Sequence, residues 1–413
     1  MNGHRVKTNK TEILIVGAGP LGWACAQFLA QHHIRTIVID PLATDNTPQW
    51  LTRGLGVFWP SLNDPPTRAV VAHGQAMANA LQDFCRMGLN HLTDFLPAAG
   101  LLKIDCLRLA LLPHEKIELD KAVEHNLGIT PLTEKHQNKN FARYSENAPG
   151  YIWNSHSQKI RKIEKEAKKY VAYRSARVTR IIDTHQSCTA YLDNNEIIHS
   201  EMAILANGFH IAQLQPWLSE MLIPMSDIVG HWSTNLPCAP DDLPLAIRTS
   251  SGHVAAVFAP QVDENHQWTW ELRMTGPRFF LPSAGAGVDL SHTLVDSSLI
   301  LNIESWLRGQ LCPAVQSVLS PRSHADIECK LKSAHFGVDC LPCDELPMLG
   351  ELGHHGRLLG STGWLGCGWS ASFQAASVLC DLIVKGQSPA MIPLLRPRRW
   401  QSGLMEDGVT GMT

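Results

Sequence analysis

The sequence contains no stretch of about 18 uninterrupted apolar residues, so no membrane-spanning helix is expected. Met1 to Lys10 are polar and lack an apolar run with a small-residue cleavage site. No secretory signal is therefore expected, and the expected location is cytoplasmic. Neither sign of charge dominates: 35 Lys and Arg face 38 Asp and Glu, a net charge of −3. That balance argues against a general nucleic-acid binder. The 11 cysteines are odd in number and follow no framework spacing, which reads as reduced, buried, small apolar side chains rather than a disulfide scaffold. There is no internal repeat and no low-complexity segment. What remains is a 413-residue chain, 44% hydrophobic and 18% charged, with the composition of a globular protein of about two or three domains.

The most informative stretch is Ile13-Leu14-Ile15-Val16-Gly17-Ala18-Gly19-Pro20-Leu21-Gly22. Four aliphatics, three of them β-branched, suit a central parallel strand. Gly17, Gly19 and Gly22 have the G-x-G-x-x-G spacing. Gly17 allows a tight turn, Gly19 lets backbone approach a pyrophosphate, and Gly22 lets helix and strand pack closely. Pro20 suits a first helical turn, and Leu21, Ala24, Cys25, Phe28 and Leu29 continue at helical spacing. The helix start offers free N–H groups to phosphates. Thr36-Ile37-Val38-Ile39 reads as a second strand, ending in Asp40 and Pro41. An acidic residue roughly 20 positions past the glycines is placed to accept hydrogen bonds from an adenosine ribose. The pattern fits a dinucleotide, NAD or FAD.

Along the rest of the chain, Arg53-Gly54-Leu55-Gly56 passes two glycines close together, a turn that lets backbone approach a flat ligand. Thr67 to about Leu96 is helical in pattern. His136 to Asn147 is mostly polar and reads as a loop. Gln158 to Tyr170 carries six basic residues interrupted by Glu164 and Glu166, and reads as a solvated amphipathic helix. Val171 to Ile182 reads as one strand, Thr189 to Ile198 as two short strands about a turn, and Met202 to Gly208 as a buried strand ending in small residues. Residues 220–330 change character to short alternating strands such as His253 to Ala259 and Gln267 to Met274, an antiparallel sheet. Leu299 to Leu311 is helical. The glycine-rich Gly363-Trp364-Leu365-Gly366-Cys367-Gly368 precedes a helix from about Ser370 to Lys385, closed by Gly386.

Together these pieces resemble the flavin-dependent family of D-amino-acid oxidase, glycine oxidase and sarcosine oxidase. The fingerprint with Asp40 is similar to that family's FAD-binding opening. Arg53, Gly54 and Leu55 stand where the family sets a small-residue turn against the flavin, and Val178 resembles its adenine-contacting valine. Ala203 to Gly208 is similar to the strand and turn before its second domain, with Asn207 in place of threonine. Gly363 to Gly368 matches the turn whose N–H groups face the flavin ring, and Arg396-Pro397-Arg398-Arg399-Trp400 resembles the family's closing signature. The resemblance implies an α/β plus antiparallel β fold. Residues 1–96, 151–215 and 335–413 would form a Rossmann-like FAD-binding domain assembled from separated segments, and 97–150 and 216–334 a substrate domain on an antiparallel sheet. The implied chemistry is hydride removal from a carbon bearing an amine of a small molecule, with delivery to flavin N5. Electrons then pass to oxygen or another acceptor.

There are departures. Gly337 to Gly350 overlays a family motif, keeping Gly337, Asp344, Pro347 and Gly350, but Asp339 replaces the arginine that holds a substrate carboxylate. A fork of donors has become an acceptor, so Asp339 would favour a neutral or cationic group there, unless it points away toward a cation such as Lys332. Arg53, Arg273 or Arg278 could then supply the clamp. Trp364 stands where a histidine is frequent. With no cysteine at Gly337, where sarcosine oxidases attach flavin, FAD is expected to be non-covalent. Asp339, Arg53 and Trp364 are the candidate catalytic positions.

Cys340 and Cys343 could form a redox pair, but no second Cys/His pair of zinc-site spacing stands near. His354-His355 reads as a polar turn between strands, and Trp268 and Trp270 as a packed sheet face. A flavin-binding protein without turnover and a flavoenzyme acting on a modified nucleobase are the alternatives. In the family the latter joins a methyltransferase domain, which is not expected here. The purified protein is expected to carry FAD that acid or heat releases intact. Flavin that stays with the precipitated chain would contradict the non-covalent expectation.

Overall fold

The structure is a computed structural model that describes residues 8–43, 54–62, 66–95, 101–132, 142–153, 165–250, 253–263, 266–319, 327–364 and 366–399. Two sheets organise it. From edge to edge the first runs Met348–Glu351, Leu358–Thr362, Ile197–Leu205, Thr8–Val16, Thr36–Ile39 and Val171–Arg174. Thr8–Val16 lies at its centre, parallel to both neighbours, with Ile13 opposite Met202 and Thr36. Leu14, Val16, Ile37 and Ile39 enter one apolar cluster, while Ile13, Ile15 and Val38 enter the other. Burial on both faces is why this segment is an unbroken aliphatic run rather than an alternating one.

One face is covered by α1 (Pro20–Gln31) and by the C-terminal helix Gly368–Lys385, with the long helix Arg68–Phe95 stacked outside. The expected C-terminal helix is present, and Gly386 closes it with φ +73°. The long helix also answers to its pattern, but it breaks at Gly74, where φ is +79°. The other face carries the antiparallel strands Val178–Asp183 and Cys188–Leu192.

The second sheet runs Cys329–Pro342, Leu222–Pro237, Trp268–Thr275, Val254–Val262, Leu245–Thr249, Leu101–Ala110, Ala142–Glu146 and Ile129–Pro131. It is largely antiparallel, with Leu245–Thr249 parallel to Leu101–Ala110. One face packs through Ile228, Trp232, Trp270 and Leu272 on the helical segments Ser297–Trp306 and Cys312–Leu319. Trp270 is thus a core residue, its indole N–H donating to the Leu319 carbonyl at 3.3 Å, whereas Trp268, expected on the same packed face, is exposed at the start of the strand.

Two expectations are corrected. Residues 142–146, expected in a loop, form a strand, because their polar side chains are buried in pairs: Glu146 accepts from Arg108 at 2.7 Å and Tyr144 donates to Asp120 at 2.6 Å. Val171 to Ile182 is two strands, Val171–Arg174 and Val178–Asp183. The break comes where the Ser175 hydroxyl donates to the Pro41 carbonyl and Arg177 N–H to Asp193. Most of the basic Gln158 to Tyr170 stretch lies outside the described residues, and 165–167 are helical.

The closing Arg396 to Arg399 segment is fastened by Arg399, which is fully buried. It forks onto Asp344 at 2.6 and 2.7 Å and donates to the carbonyls of Leu346 at 2.8 Å and Pro347 at 3.2 Å. Arg399→Met would strand a mostly buried carboxylate, and the expected loss is about 3–5 kcal/mol by urea denaturation. Arg398→Met, which gives up a cation–π contact 5.6 Å from the Trp217 ring, is expected to cost no more than about 1 kcal/mol.

Candidate functional site

The glycine fingerprint forms the strand-turn-helix its spacing implies. Gly17 takes φ +103°, and its N–H donates to the Ile39 carbonyl at 2.8 Å. A Cβ on Gly17 would stand 2.5 Å from the Ala206 oxygen, and one on Gly22 1.9 Å from the Gly17 oxygen. Those two glycines are required by the protein's own packing. Gly19 differs: it is extended, with φ −67° and ψ −175°, and a Cβ there would meet nothing closer than 3.9 Å. Among the described residues no atom crowds that Cβ position, and no side chain caps the helix that begins at Pro20. The first-turn N–H groups of that helix have no partner within the helix, and a pyrophosphate is a group that such N–H groups bind. The residues present therefore fit a dinucleotide.

Asp40 closes the same turn. Its carboxylate accepts from Ala18 N–H at 2.9 Å and Leu42 N–H at 2.8 Å, which leaves further lone pairs for a ribose. Val178 starts its strand in the apolar cluster of Val16 and Ile39. Gly208, with φ +60°, offers its carbonyl to the Thr362 hydroxyl at 3.1 Å. That bond joins the turn after Ile197–Leu205 to the strand that carries the second glycine-rich turn. Gly54 packs on the ring of Trp369, beside the partly buried Leu55. Arg53 and Leu365 lie outside the described residues.

The second turn leaves Leu358–Thr362 at Gly363, whose φ is +80° and whose missing Cβ makes room for the Pro342 ring. Trp364 is buried, stacked on Phe84 with centroids 4.8 Å apart. Its indole N–H donates to Ser361 at 2.7 Å. Cys367 caps the helix that starts at Gly368, and its N–H donates to the Trp364 carbonyl at 3.0 Å. Gly366 is held at both backbone groups. Its N–H donates to Asp339 Oδ2 at 3.2 Å, and its carbonyl accepts from Arg248 at 3.1 Å.

A cavity of about 280 Å³ opens between this turn, the long helix and the second sheet. Trp364, Cys367, Cys85 and Leu81 line one side; Met225, Arg278, Asp339 and Leu341 line the other. Arg278 donates through Nε to Asp227 at 3.1 Å. Asp227 is buried, and loss of water pushes its carboxyl up to about 6 against the opposing pull of Arg278. At the mouth Arg68 forks onto Glu345, with Nε 2.7 Å from the carboxylate. His73 stands on the same wall, and burial pulls its imidazole below the usual histidine range.

Several candidates fall elsewhere. Arg273 is not on the cavity wall and lies 3.7 Å from Glu271. Lys332 meets Gln261 at 3.0 Å, not Asp339. Cys340 is buried on the Thr362 hydroxyl, while Cys343 is exposed beside Met221. No disulfide joins them, and no group of three metal-ligating side chains occurs among the described residues. His354 and His355 form a turn whose N–H groups donate to Asp183, as their polar surroundings suggested. Asp227, Arg248 and His73 were not singled out in the sequence. A signal exists for Arg248, a charge inside Leu245-Ala246-Ile247-Arg248-Thr249, where every residue is buried.

Residues 10–57 match the family model described as an FAD binding domain. A comparison with curated proteins returned no match. Over nearly the whole chain the fold is similar to that of L-proline dehydrogenase from P. horikoshii, with 13% identity, TM-score 0.66, 96% of this chain and 99% of that one covered. It is similar to glycine oxidase from Geobacillus kaustophilus, with 13% identity, TM-score 0.65 and coverage of 94% and 98%. It is also similar to fructosyl amine:oxygen oxidoreductase (Amadoriase I) from Aspergillus fumigatus, with 14% identity, TM-score 0.66 and coverage of 97% and 92%. The α/β plus antiparallel β fold implied by the sequence resemblance is the fold of the chain.

Gly19→Val puts a branched side chain into the open space over the turn, and Gly22→Val drives one into the Gly17 carbonyl. The expected outcome is that Gly19→Val keeps the wild-type melting temperature within a few degrees but purifies colourless, while Gly22→Val fails to fold. Full flavin content in Gly19→Val would refute the assignment.

Proposed function

We propose that this protein is an FAD-dependent oxidoreductase that oxidises a C–N bond of an amine or amino-acid-like small molecule by hydride transfer to flavin N5. The observation that carries the reading is the shared cavity, in which the glycine-rich turn after Thr362 meets the polar groups of the second sheet. The names of the proteins of similar fold, a proline dehydrogenase, a glycine oxidase and a fructosyl amine oxidoreductase, support it. In this reading residues 1–96, 151–215 and 335–413 form the cofactor unit, and 97–150 and 216–334 the substrate unit. FAD, held without a covalent link, supplies the hydride acceptor, and oxygen or another acceptor takes the electrons onward.

The chain's own residues would bind, orient and exclude water. Gly17, Gly19, Pro20, Leu21 and Gly22 face the pyrophosphate, Asp40 and Pro41 the adenosine, and Gly363 to Gly368 the ring. Leu81, Met225, Leu341 and Trp364 give the cavity an apolar wall that keeps water from the reacting carbon. Arg278 is fixed through Nε by Asp227. Its terminal nitrogens meet no acceptor among the described residues, so they are available to an acceptor group of the substrate.

Anaerobic mixing with a panel of amines is expected to bleach the flavin absorbance with at least one of them. Yellow protein that no amine reduces would favour binding without turnover. With a substrate carrying a carboxylate, Arg278→Met is expected to raise KM by roughly 10- to 100-fold with little change in kcat, the loss of a charge-assisted hydrogen bond of about 1.5–3 kcal/mol. An unchanged KM would remove Arg278 from the substrate contacts.

A further inference from the structure

Gly366 is the midpoint of the glycine-rich turn, and two charged side chains from distant strands of the second sheet converge on it. Asp339 comes from Cys329–Pro342 and Arg248 from Leu245–Thr249, with three strands of the sheet between them. Asp339 Oδ2 accepts from the Gly366 N–H at 3.2 Å, and Arg248 donates to the Gly366 carbonyl at 3.1 Å. The other oxygen of Asp339 accepts from the Cys340 N–H at 2.8 Å. Arg248 is itself anchored: it donates to the carbonyls of Ser61 at 3.2 Å and Leu62 at 3.0 Å, and its guanidinium lies 4.2 Å over the Trp59 ring. Gly366 has φ +76°, in the left-handed region that glycine reaches without a Cβ penalty, and glycine loses more backbone freedom on ordering than other residues.

We propose that Asp339 and Arg248 are a positioning pair that seats the Gly363 to Gly368 turn by holding Gly366 at both its N–H and its carbonyl. Asp339, although on the cavity wall, does not select the charge of the substrate. Both of its oxygens are committed to backbone donors, and the cation on the same wall, Arg278, is engaged with Asp227 instead. The aspartate at this position thus trades a contact with substrate for a contact with the turn. The part of this proposal that concerns cofactor and substrate rests on the function proposed above; the grip on Gly366 does not.

The test uses the full chain with Asp339→Ala and Asp339→Asn. Asn keeps an oxygen that can accept from Gly366 but loses the charge and, because its NH2 cannot accept, the bond from the Cys340 N–H; it separates the grip on Gly366 from charge selection. FAD titration of apoprotein is expected to show about tenfold weaker binding for Asp339→Ala and affinity within about threefold of wild type for Asp339→Asn. The ratio of kcat/KM for a carboxylated amine to that for its uncharged analogue is expected to be the same in wild type and Asp339→Asn. Unchanged FAD affinity in Asp339→Ala overturns the positioning role. A tenfold or larger swing of that ratio toward the carboxylated amine in Asp339→Asn overturns the claim about substrate charge. If wild type binds no FAD, the proposed function fails, and the grip is then read from limited proteolysis of the apoprotein. Faster cleavage at the turn in Asp339→Ala, rescued in Asp339→Asn, supports it, and equal rates in all three chains overturn it.

Discussion

The relation between the two sheets depends on buried guanidinium groups bonded to backbone carbonyls of irregular segments. Arg248 holds the carbonyls of Ser61, Leu62 and Gly366, so a strand of the second sheet, the segment before the long helix and the turn of the first sheet meet at one side chain. Arg108, also fully buried, donates to Glu146 at 2.7 Å, to Ser61 Oγ at 2.8 Å and to the Leu62 carbonyl. Arg399 does the same for the Asp344 to Pro347 turn. A loop carbonyl buried without a donor costs about 1–3 kcal/mol, and arginine carries five donors in a fixed plane. One such residue can therefore satisfy several carbonyls that no ladder reaches, and it sets their positions relative to each other. Removal of its partners would leave a buried charge, so the segments are held in that one arrangement.

This explains which parts of the chain were legible in sequence. The strand Thr8–Val16, its glycine turn and α1 carry their marks locally, in an unbroken aliphatic run and in three glycines at fixed spacing, although the strand also pairs with Ile197–Leu205 and Gly17 packs on Ala206. The C-terminal helix likewise has a local mark in Gly386, which closes it at φ +73°. The strand Ala142–Glu146 was missed for the opposite reason. Its buried residues include Arg143, Tyr144 and Glu146, whose polarity masks the alternation that burial would otherwise impose, and the partners that permit their burial, such as Arg108 and Asp120, lie 20 to 40 positions away. Arg248 does stand out as a lone charge in its strand, but its carbonyl partners, at separations of 118 to 187 residues, were hidden. Polar burial needs long-range partners, and a pattern read along the chain does not contain them.

The glycines divide along the same line. Gly17 and Gly22 are forced by contacts inside the protein, so they report only that a tight strand-turn-helix exists. Gly19 is crowded by no atom among the described residues, so its smallness is not explained by the protein's own packing. The spacing alone does not distinguish these cases; the atoms around each missing Cβ do.

Asp339 shows where a resemblance at one position needs the structure to interpret it. Read in the sequence, the exchange of an arginine for an aspartate reverses the charge presented to substrate. In the fold, the aspartate is occupied by Gly366 and Cys340, and a cation stands on the cavity wall at Arg278, carried by a different segment and oriented by Asp227. The carboxyl of Asp227 titrates at about 6, so it is charged above that pH and then offsets the cost of keeping Arg278 in a partly dry cavity. The cavity therefore holds a positive group next to apolar walls, while Asp339 holds backbone N–H groups. Asp227 thus fixes the direction of the Arg278 side chain, as Gly366 and Cys340 fix that of Asp339, and these two charged groups on the cavity wall are each set by bonds within the protein.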